Sequence, residues 1–589
     1  MAEATWPNLA AMFFDQADRL GDKPLFWAKR DGAYEAMSWR QAAAKTGALA
    51  GGLKALGVVP GDRVQLVSEN RPEWAIADLA IMATGAVTVP AYVTNTAADH
   101  LHVLTDSGAK GAIVSTRALA ERVLAAAGDA ACLEFVITME PVARQDGVEV
   151  FGFDQVADRG GTGDAAGMAR QWKPDDLACI LYTSGTGGAP KGVMLDHRAI
   201  FHNCAGARDA LLELGLDDEV FLSFLPLSHS YEHTTGQFFP LTIGAQIYYA
   251  EGVDQLSTNM AEARPTIMTA VPRLYENMHD RIMRGVRKSG GAREKLFMTA
   301  LELGRRRHFD PGGLSLGERL ADALVERLVR DKMRKRFGGR LKAMVSGGAP
   351  LNPEIGMFFT ALGLRILQGY GQTEAAPVIS VNRPGDVHIE TVGPPLKDVE
   401  LRIAGDGEIL VRGDLVMQGY WRNEEATREA IRDGWLHTGD VGEVDGNGCL
   451  RITDRKKDII VNSGGDNISP QRIEGILTME TEIHQAMVMG DARPHLVGLL
   501  VPDRDWMQAW AQENGKDAGG LADDGDFLAA LGDVVGRVND RLSVIEKVRR
   551  FIVADAPFTI ENALMTPTLK LRRFRITEIY GDRLEALYR

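Results

Sequence analysis

The chain has 589 residues, 45% hydrophobic and 25% charged, too long for one core and ordinary enough in composition to predict two or more globular domains. A formal charge of −14 excludes a protein that wraps nucleic acid, because neutralising phosphates needs a basic face. Four cysteines (Cys132, Cys179, Cys204, Cys449) stand far apart without CxxC spacing, which excludes a disulfide framework and a zinc site and fits a reducing, cytoplasmic setting.

Residues 1–14 lack a basic stretch followed by an apolar run and a small-residue cleavage site, so they do not read as a secretory signal. Beyond them, the spacing predicts a helix over 39–56, a strand over 62–68, a helix over 73–84, a strand over 86–92 and, after a further helix, a strand over 111–115. Strands separated by helices of this length imply βαβ units on parallel sheets, an α/β class with doubly wound subdomains. Residues 75–93 are apolar, but Asp78 and Pro90 interrupt them, and they read as a buried helix and strand rather than a membrane span. Residues 158–167 read as a Gly-rich polar loop, followed by a short apolar strand at 177–182.

Immediately after that strand comes Thr183-Ser184-Gly185-Thr186-Gly187-Gly188-Ala189-Pro190-Lys191-Gly192. Glycines let backbone N–H groups approach phosphate oxygens, hydroxyls donate further bonds, and Lys191 adds a positive charge, so Thr183, Ser184, Gly185, Thr186 and Lys191 are candidates to hold a triphosphate. The G-x-x-x-x-G-K-[ST] spacing of a Walker A loop is absent. A mobile Gly-rich turn is the plain alternative for such a run. The ten residues resemble the signature loop of the adenylate-forming superfamily, which includes acyl-CoA synthetases, luciferases and the adenylation domains of peptide synthetases. One departure stands out: where the family usually has a second threonine, this chain has Gly187, which removes a hydroxyl donor and shifts the grip toward main-chain N–H groups.

Further strings carry the same resemblance. Leu225-Pro226-Leu227-Ser228-His229-Ser230-Tyr231-Glu232 and Val271-Pro272-Arg273-Leu274-Tyr275-Glu276 are, as a pair, similar to the long-chain fatty acyl-CoA synthetase branch. His229 is either a group beside the reacting carboxylate and pyrophosphate or a hydrogen-bonded core histidine. Ser346-Gly347-Gly348-Ala349-Pro350 reads as a strand-ending turn that the resemblance sets against adenine. Gln368-Gly369-Tyr370-Gly371-Gln372-Thr373-Glu374, after an apolar strand-like stretch at 362–367, offers a flat face for a purine at Tyr370, a hydroxyl for the α-phosphate at Thr373 and a hard oxygen ligand for Mg²⁺ at Glu374. His437-Thr438-Gly439-Asp440 ends in a carboxylate suited to both ribose hydroxyls, and Arg455 matches the family's ribose and phosphate contact.

Between 408 and 452 the texture changes to short strands broken by Gly and Asp, which predicts an antiparallel, barrel-like piece. Asp454-Arg455-Lys456-Lys457 reads as a hinge between an N-terminal unit (1–453) and a small mobile α+β unit (454–589). The second unit holds two strings that match the family: the loop around Gly464 and Gly465, where pantetheine would pass, and the segment ending at Lys570, the family's catalytic lysine. An ammonium bridging a carboxylate and an α-phosphate offsets their repulsion and fixes their geometry.

The resemblance therefore implies an ATP- and Mg²⁺-dependent ligase that converts a fatty acid to acyl-AMP and pyrophosphate, then transfers the acyl group to coenzyme A. It also implies that the small unit rotates between the two steps. An adenylating enzyme that loads a carrier protein in trans, an acyl-AMP ligase without CoA, and a non-catalytic nucleotide sensor are the alternatives; intact Lys191, Glu374, Asp440 and Lys570 speak against the last. Residues 281–342 hold eighteen Lys/Arg against seven Asp/Glu at helical spacing, a candidate peripheral contact with the inner membrane face or simply a solvated helical face. A homodimer is the candidate assembly.

Overall fold

The structure, a computed structural model, describes residues 6–142, 147–161, 163–183, 189–566 and 570–589. Two eight-stranded sheets dominate it. In the first, the strands run in the order Gly419–Tyr420, Lys191–Asp196, Leu177–Thr183, Val87–Ala91, Arg63–Val67, Gly111–Val114, Phe135–Thr138 and Glu149–Gly152. From Leu177–Thr183 onward every pairing is parallel. The second sheet runs Val378–Val381, Ile366–Gly371, Ala343–Ser346, Ile267–Ala270, Val220–Ser223, Gln246–Tyr249, Pro24–Arg30 and Ala33–Ser38, parallel except at its two edges. Parallel strands covered on both faces read as short continuous apolar runs, and Val87–Ala91 and Gly111–Val114 are buried throughout.

The predicted helices form where their caps allow. Ser38 closes a capping box with Gln41 ahead of Trp39–Ala55, and Pro72 opens Pro72–Ala83, a helix buried along nearly its whole length. That second helix and Val87–Ala91 account for the apolar 75–93 stretch, and no helix among the described residues is long and apolar enough to cross a membrane. The largest core cluster lies between the sheets, where Leu66, Ile113 and Leu181 meet Phe26, Phe221 and Ile267 around Trp39 and Trp74.

Two sequence readings need correction. Residues 158–167 are not simply a loop: the Phe153–Gly160 helix runs into them and Ala165–Ala169 forms another turn. Gly160 approaches Gly52 so closely that a Cβ would lie 1.9 Å from the Ala48 carbonyl, so a glycine there serves helix packing. The strand expected over 362–367 is displaced, because the Pro353–Ala361 helix ends at Leu362 and the strand is Ile366–Gly371, carrying the motif's own first residues. Asp454 and Arg455, at the boundary expected between the two units, stand at the end of the Leu450–Arg455 strand.

That strand is part of a five-stranded antiparallel sheet, Glu400–Ile403, Glu408–Arg412, Trp435–Val444 and Ile431–Arg432, with Leu450–Arg455 on the other side of Trp435–Val444. The remainder is α+β: strands Ile483–Met489, Leu496–Pro502 and Val548–Val553 with the Gly525–Asn539 and Arg573–Ala586 helices, around cores of their own.

Candidate active site

Ligands of open α/β sheets bind beyond the C-terminal ends of the parallel strands, and here several such ends converge. Leu177–Thr183 ends at Thr183, which pairs in register with Lys191, so the two stand at the mouth of the signature loop. Lys191 Nζ lies 5.1 Å from the centre of the Tyr420 ring. Ser184, Gly185, Thr186 and the departing Gly187 lie outside the described residues.

Ala343–Ser346 ends at the Gly347-Gly348-Ala349-Pro350 turn. Gly347 donates its N–H to the Ala270 carbonyl at 3.1 Å, and a Cβ on it would come within 2.9 Å of the Tyr231 ring, so this strand end admits no side chain without displacing Tyr231. Tyr231 is held by its hydroxyl, which donates to the Val345 carbonyl at 2.9 Å.

Ile366–Gly371 carries Gln368, Gly369, Tyr370 and Gly371 in the strand itself. The Gln368 amide donates to the Ile389 carbonyl, and a Cβ on Gly371 would overlap the Pro377 carbonyl at 1.9 Å. Gln372 donates its N–H to the same Pro377 carbonyl at 2.9 Å, turning the chain into the Thr373–Ala375 helical turn. There Thr373 Oγ1 lies 3.0 Å from Ser230 Oγ, and Glu374 Oε1 accepts from the Tyr420 hydroxyl at 2.9 Å.

Asp440, buried on the Trp435–Val444 strand, accepts from the Tyr370 hydroxyl at 2.6 Å and pairs with Arg455 Nε at 3.2 Å. Tyr370 is thus more than a flat face: its phenol ties the purine strand to the ribose carboxylate, and burial followed by the Asp440 charge pushes its ionisation well above the usual phenol range. Glu408 braces the turn before Asp440, accepting from the Gly439 N–H at 3.0 Å and meeting His437 Nδ1 at 3.1 Å.

One cavity of about 1670 Å³ brings these groups together. Thr183, Lys191, the 347–350 turn, residues 368–374, His229, Asp440, Arg455 and Lys570 all line it. Burial, reinforced by Arg455 and opposed by Asp440 and Glu374, lowers the Lys570 ammonium to about 8. His229 accepts the Tyr231 N–H on Nδ1 at 3.1 Å, which leaves its proton on Nε2; burial, and then the Lys570 charge, hold it near 4 and therefore neutral at pH 7. The same cavity continues to an apolar wall that includes Leu211, Phe221, Phe239 and Ile267.

Gly464 and Gly465 are not among the residues lining this cavity. They sit in a turn closed by Asn462, whose Oδ1 accepts the Gly464 N–H at 2.9 Å and whose carbonyl accepts the Gly465 N–H at 3.0 Å. Sequence reasoning missed Ser230, Tyr231 and Tyr420 as site residues. The first two lie within the 225–232 string, whereas Tyr420 reaches Glu374 only because Gly419–Tyr420 adds to the edge of the first sheet.

The Glu374 carboxylate, on the cavity wall beside Thr373, fits Mg²⁺, which takes one or two protein carboxylates and completes its shell with water and substrate phosphates. Among the described residues no group of three or more His, Cys, Asp or Glu is placed to hold a metal ion by itself.

The fold and this cleft define a two-part α/β enzyme with nucleotide-sized and apolar compartments in one cavity. The chain belongs to the AMP-binding enzyme family, the adenylate-forming superfamily, in its long-chain acyl-CoA synthetase branch: residues 13–421 match the family's main model and 457–589 its C-terminal domain. It is 36% identical over 591 residues to the long-chain-fatty-acid–CoA ligase FadD15 of Mycobacterium tuberculosis, covering 99% of this chain and 97% of that one. It is also 32% identical to the peroxisomal long chain acyl-CoA synthetase 6 of Arabidopsis thaliana, covering 95% and 82%. Among solved structures, the anthranilate CoA ligase AuaEII with anthranoyl-AMP superposes with a TM-score of 0.75 at 19% identity over 98% of both chains. A benzoate CoA ligase from Burkholderia xenovorans gives 0.72 at 24% identity over 97% and 99%.

Proposed function

We propose that the chain is an ATP-dependent acyl-CoA synthetase for medium- to long-chain fatty acids. The carboxylate attacks the α-phosphorus of ATP, pyrophosphate leaves, and the thiol of coenzyme A then displaces AMP from the acyl-adenylate. The observation that carries this reading is the single cavity in which Lys570, Thr373 and Glu374 share space with the apolar wall of Phe221, Phe239 and Ile267. Full-length similarity to long-chain ligases supports the substrate class.

In this proposal Lys570 bridges the acid and the α-phosphate, Thr373 donates to that phosphate, and neutral His229 presents Nε2–H to the carboxylate or pyrophosphate. Lys191 and the signature loop hold the β- and γ-phosphates, while Tyr370 and the 347–350 turn enclose adenine. Asp440 and Arg455 take the ribose side. Magnesium held by Glu374 would neutralise triphosphate charge. The units 1–453 and 454–589 turn about Asp454 between steps, bringing Gly464 and Gly465 to the pantetheine arm. A cytoplasmic enzyme touching the inner membrane face through residues 281–342, as a homodimer, completes the proposal.

The test is release of AMP and acyl-thioester with ATP, Mg²⁺ and CoA across acids from acetate to oleate, with benzoate and cinnamate. A maximum at long alkyl chains that depends on CoA is expected. Pyrophosphate without thioester would point to a carrier-protein acceptor, and no turnover with any acid to a nucleotide sensor.

A further inference from the structure

The 281–342 segment folds into a helical layer: Pro272–Ser289, Gly291–Phe309 and a continuous helical run over 316–336 that includes one π-helical turn, Glu326–Arg330. The last run has two apolar stripes. One faces inward: Val325, Val329 and Met333 are buried, and Arg330, with no exposure at all, donates to the carbonyls of Ala300 (2.8 Å) and Ala361 (2.9 Å) and pairs with Asp322 (2.6 Å) and Glu326 (3.1 Å). The run is therefore fixed to the body from below. The other stripe, Leu316, Leu320, Leu324 and Leu328 in steps of four, is 80%, 76%, 54% and 38% exposed, and Phe309 near the preceding turn is 76% exposed. One exposed leucine is ordinary, but four along one helix face with no cover among the described residues are not.

Charge tells what covers them. The carboxylates of the run are already engaged: Glu318 with Arg306 and its own cap Ser315, Asp322 with Arg307 and Arg330, Glu326 with Arg330 and Arg334. Exposed Arg327, Lys332, Lys335 and Arg336 have no carboxylate partner among the described residues, in a chain whose net charge is −14. We infer that the outer face of the 316–336 run is a docking surface for an anionic lipid bilayer, with the leucines entering the headgroup–acyl boundary and the cations meeting lipid phosphates. A second copy of the chain would match the leucines, but the carboxylates of its run, already paired within the chain, would leave these cations unanswered. The inference specifies the proposed membrane contact and rests on it; it does not depend on the ligase assignment.

The experiment is co-sedimentation of the full chain with vesicles of phosphatidylcholine, or of phosphatidylcholine and phosphatidylglycerol in equal parts, at low and high salt. Wild type should bind the anionic vesicles and release in salt. Leu320→Gln with Leu324→Gln should weaken binding by roughly tenfold or more, as loss of buried apolar area requires, with turnover of micelle-free octanoate unchanged as a control for folding. Arg327→Gln with Lys335→Gln should remove most of the salt dependence. If wild type binds neither vesicle, membrane contact itself fails; if it binds and the leucine variants bind equally well, another surface holds the bilayer and this assignment falls. Leucine variants that lose self-association in the absence of lipid would show that a second copy covers the stripe, which also overturns it.

Discussion

Two pieces of the C-terminal unit resemble reacting parts of the superfamily, and the structure treats them differently. Lys570 lines the cavity within reach of the charges of Asp440, Glu374 and Arg455, whereas Gly464 and Gly465 are folded into a separate turn whose Ser463 N–H is bound by the Arg493 carbonyl at 3.0 Å. In the proposed mechanism the unit presents one of two chemistries at a time, and an arrangement with Lys570 lining the cavity and Gly464 and Gly465 outside it is the one that serves adenylation. The contacts across to the N-terminal body include polar ones made by partly exposed side chains: Arg284 with Asp505 at 2.9 Å, Arg273 with His484 at 3.2 Å, Asn352 with the Gly475 carbonyl at 3.3 Å. Exposed contacts of this kind are each worth about 1 kcal/mol or less, which suits the parting and re-forming that the proposed rotation requires.

The comparison is broken most severely at the lysine. Lys570→Ala should slow adenylate formation by roughly 10²-fold or more, as loss of other transition-state donors does, while supplied acyl-AMP is still converted to thioester; separate assays of pyrophosphate release and CoA consumption read the two. Asp440→Asn weakens a charged contact shared with Tyr370 and Arg455 and should raise KM for ATP by roughly tenfold to a hundredfold, the range of about 1.5–3 kcal/mol for bonds to charged groups. A pH profile sharpens the same point. Because burial lowers the Lys570 ammonium to about 8 and the proposed role requires its charged form, kcat/KM for adenylation should fall as pH rises through about 8, approaching tenfold per unit above it, whereas thioester formation from acyl-AMP should not follow. Gly465→Ala has a smaller effect confined to the other side: with φ at +85°, a Cβ adds about 1–2 kcal/mol of strain, so the CoA step should slow by roughly fivefold to thirtyfold and pyrophosphate release should be unchanged.

Much of this was legible in the sequence where function is local. The 347–350 turn and residues 368–374 at strand ends, and the 437–440 string within the Trp435–Val444 strand, each hold their chemistry within a few consecutive residues, and each reaches the cavity. What escaped depends on long-range pairing. Tyr420 meets Glu374 through a two-residue strand that pairs with Val193 and Met194, more than two hundred positions upstream, and nothing near it in sequence announces that. The Tyr370–Asp440 bond likewise joins strands of two different sheets. In 316–336 the four-residue steps of both stripes are visible, but spacing does not say which one turns inward; buried Arg330, a residue normally expected at the surface, is what fixes the inner face.

The most direct test of the two-arrangement account is to tether the unit where it stands. Arg284→Cys and Asp505→Cys, joined by a short cleavable bismaleimide and compared with each single variant, would hold the contact now made by that ion pair. The account predicts that the tethered enzyme releases pyrophosphate in a single turnover at the untethered rate, forms no acyl-thioester, and regains thioester formation once the linker is cleaved. Thioester formation at full rate with the tether intact would contradict it.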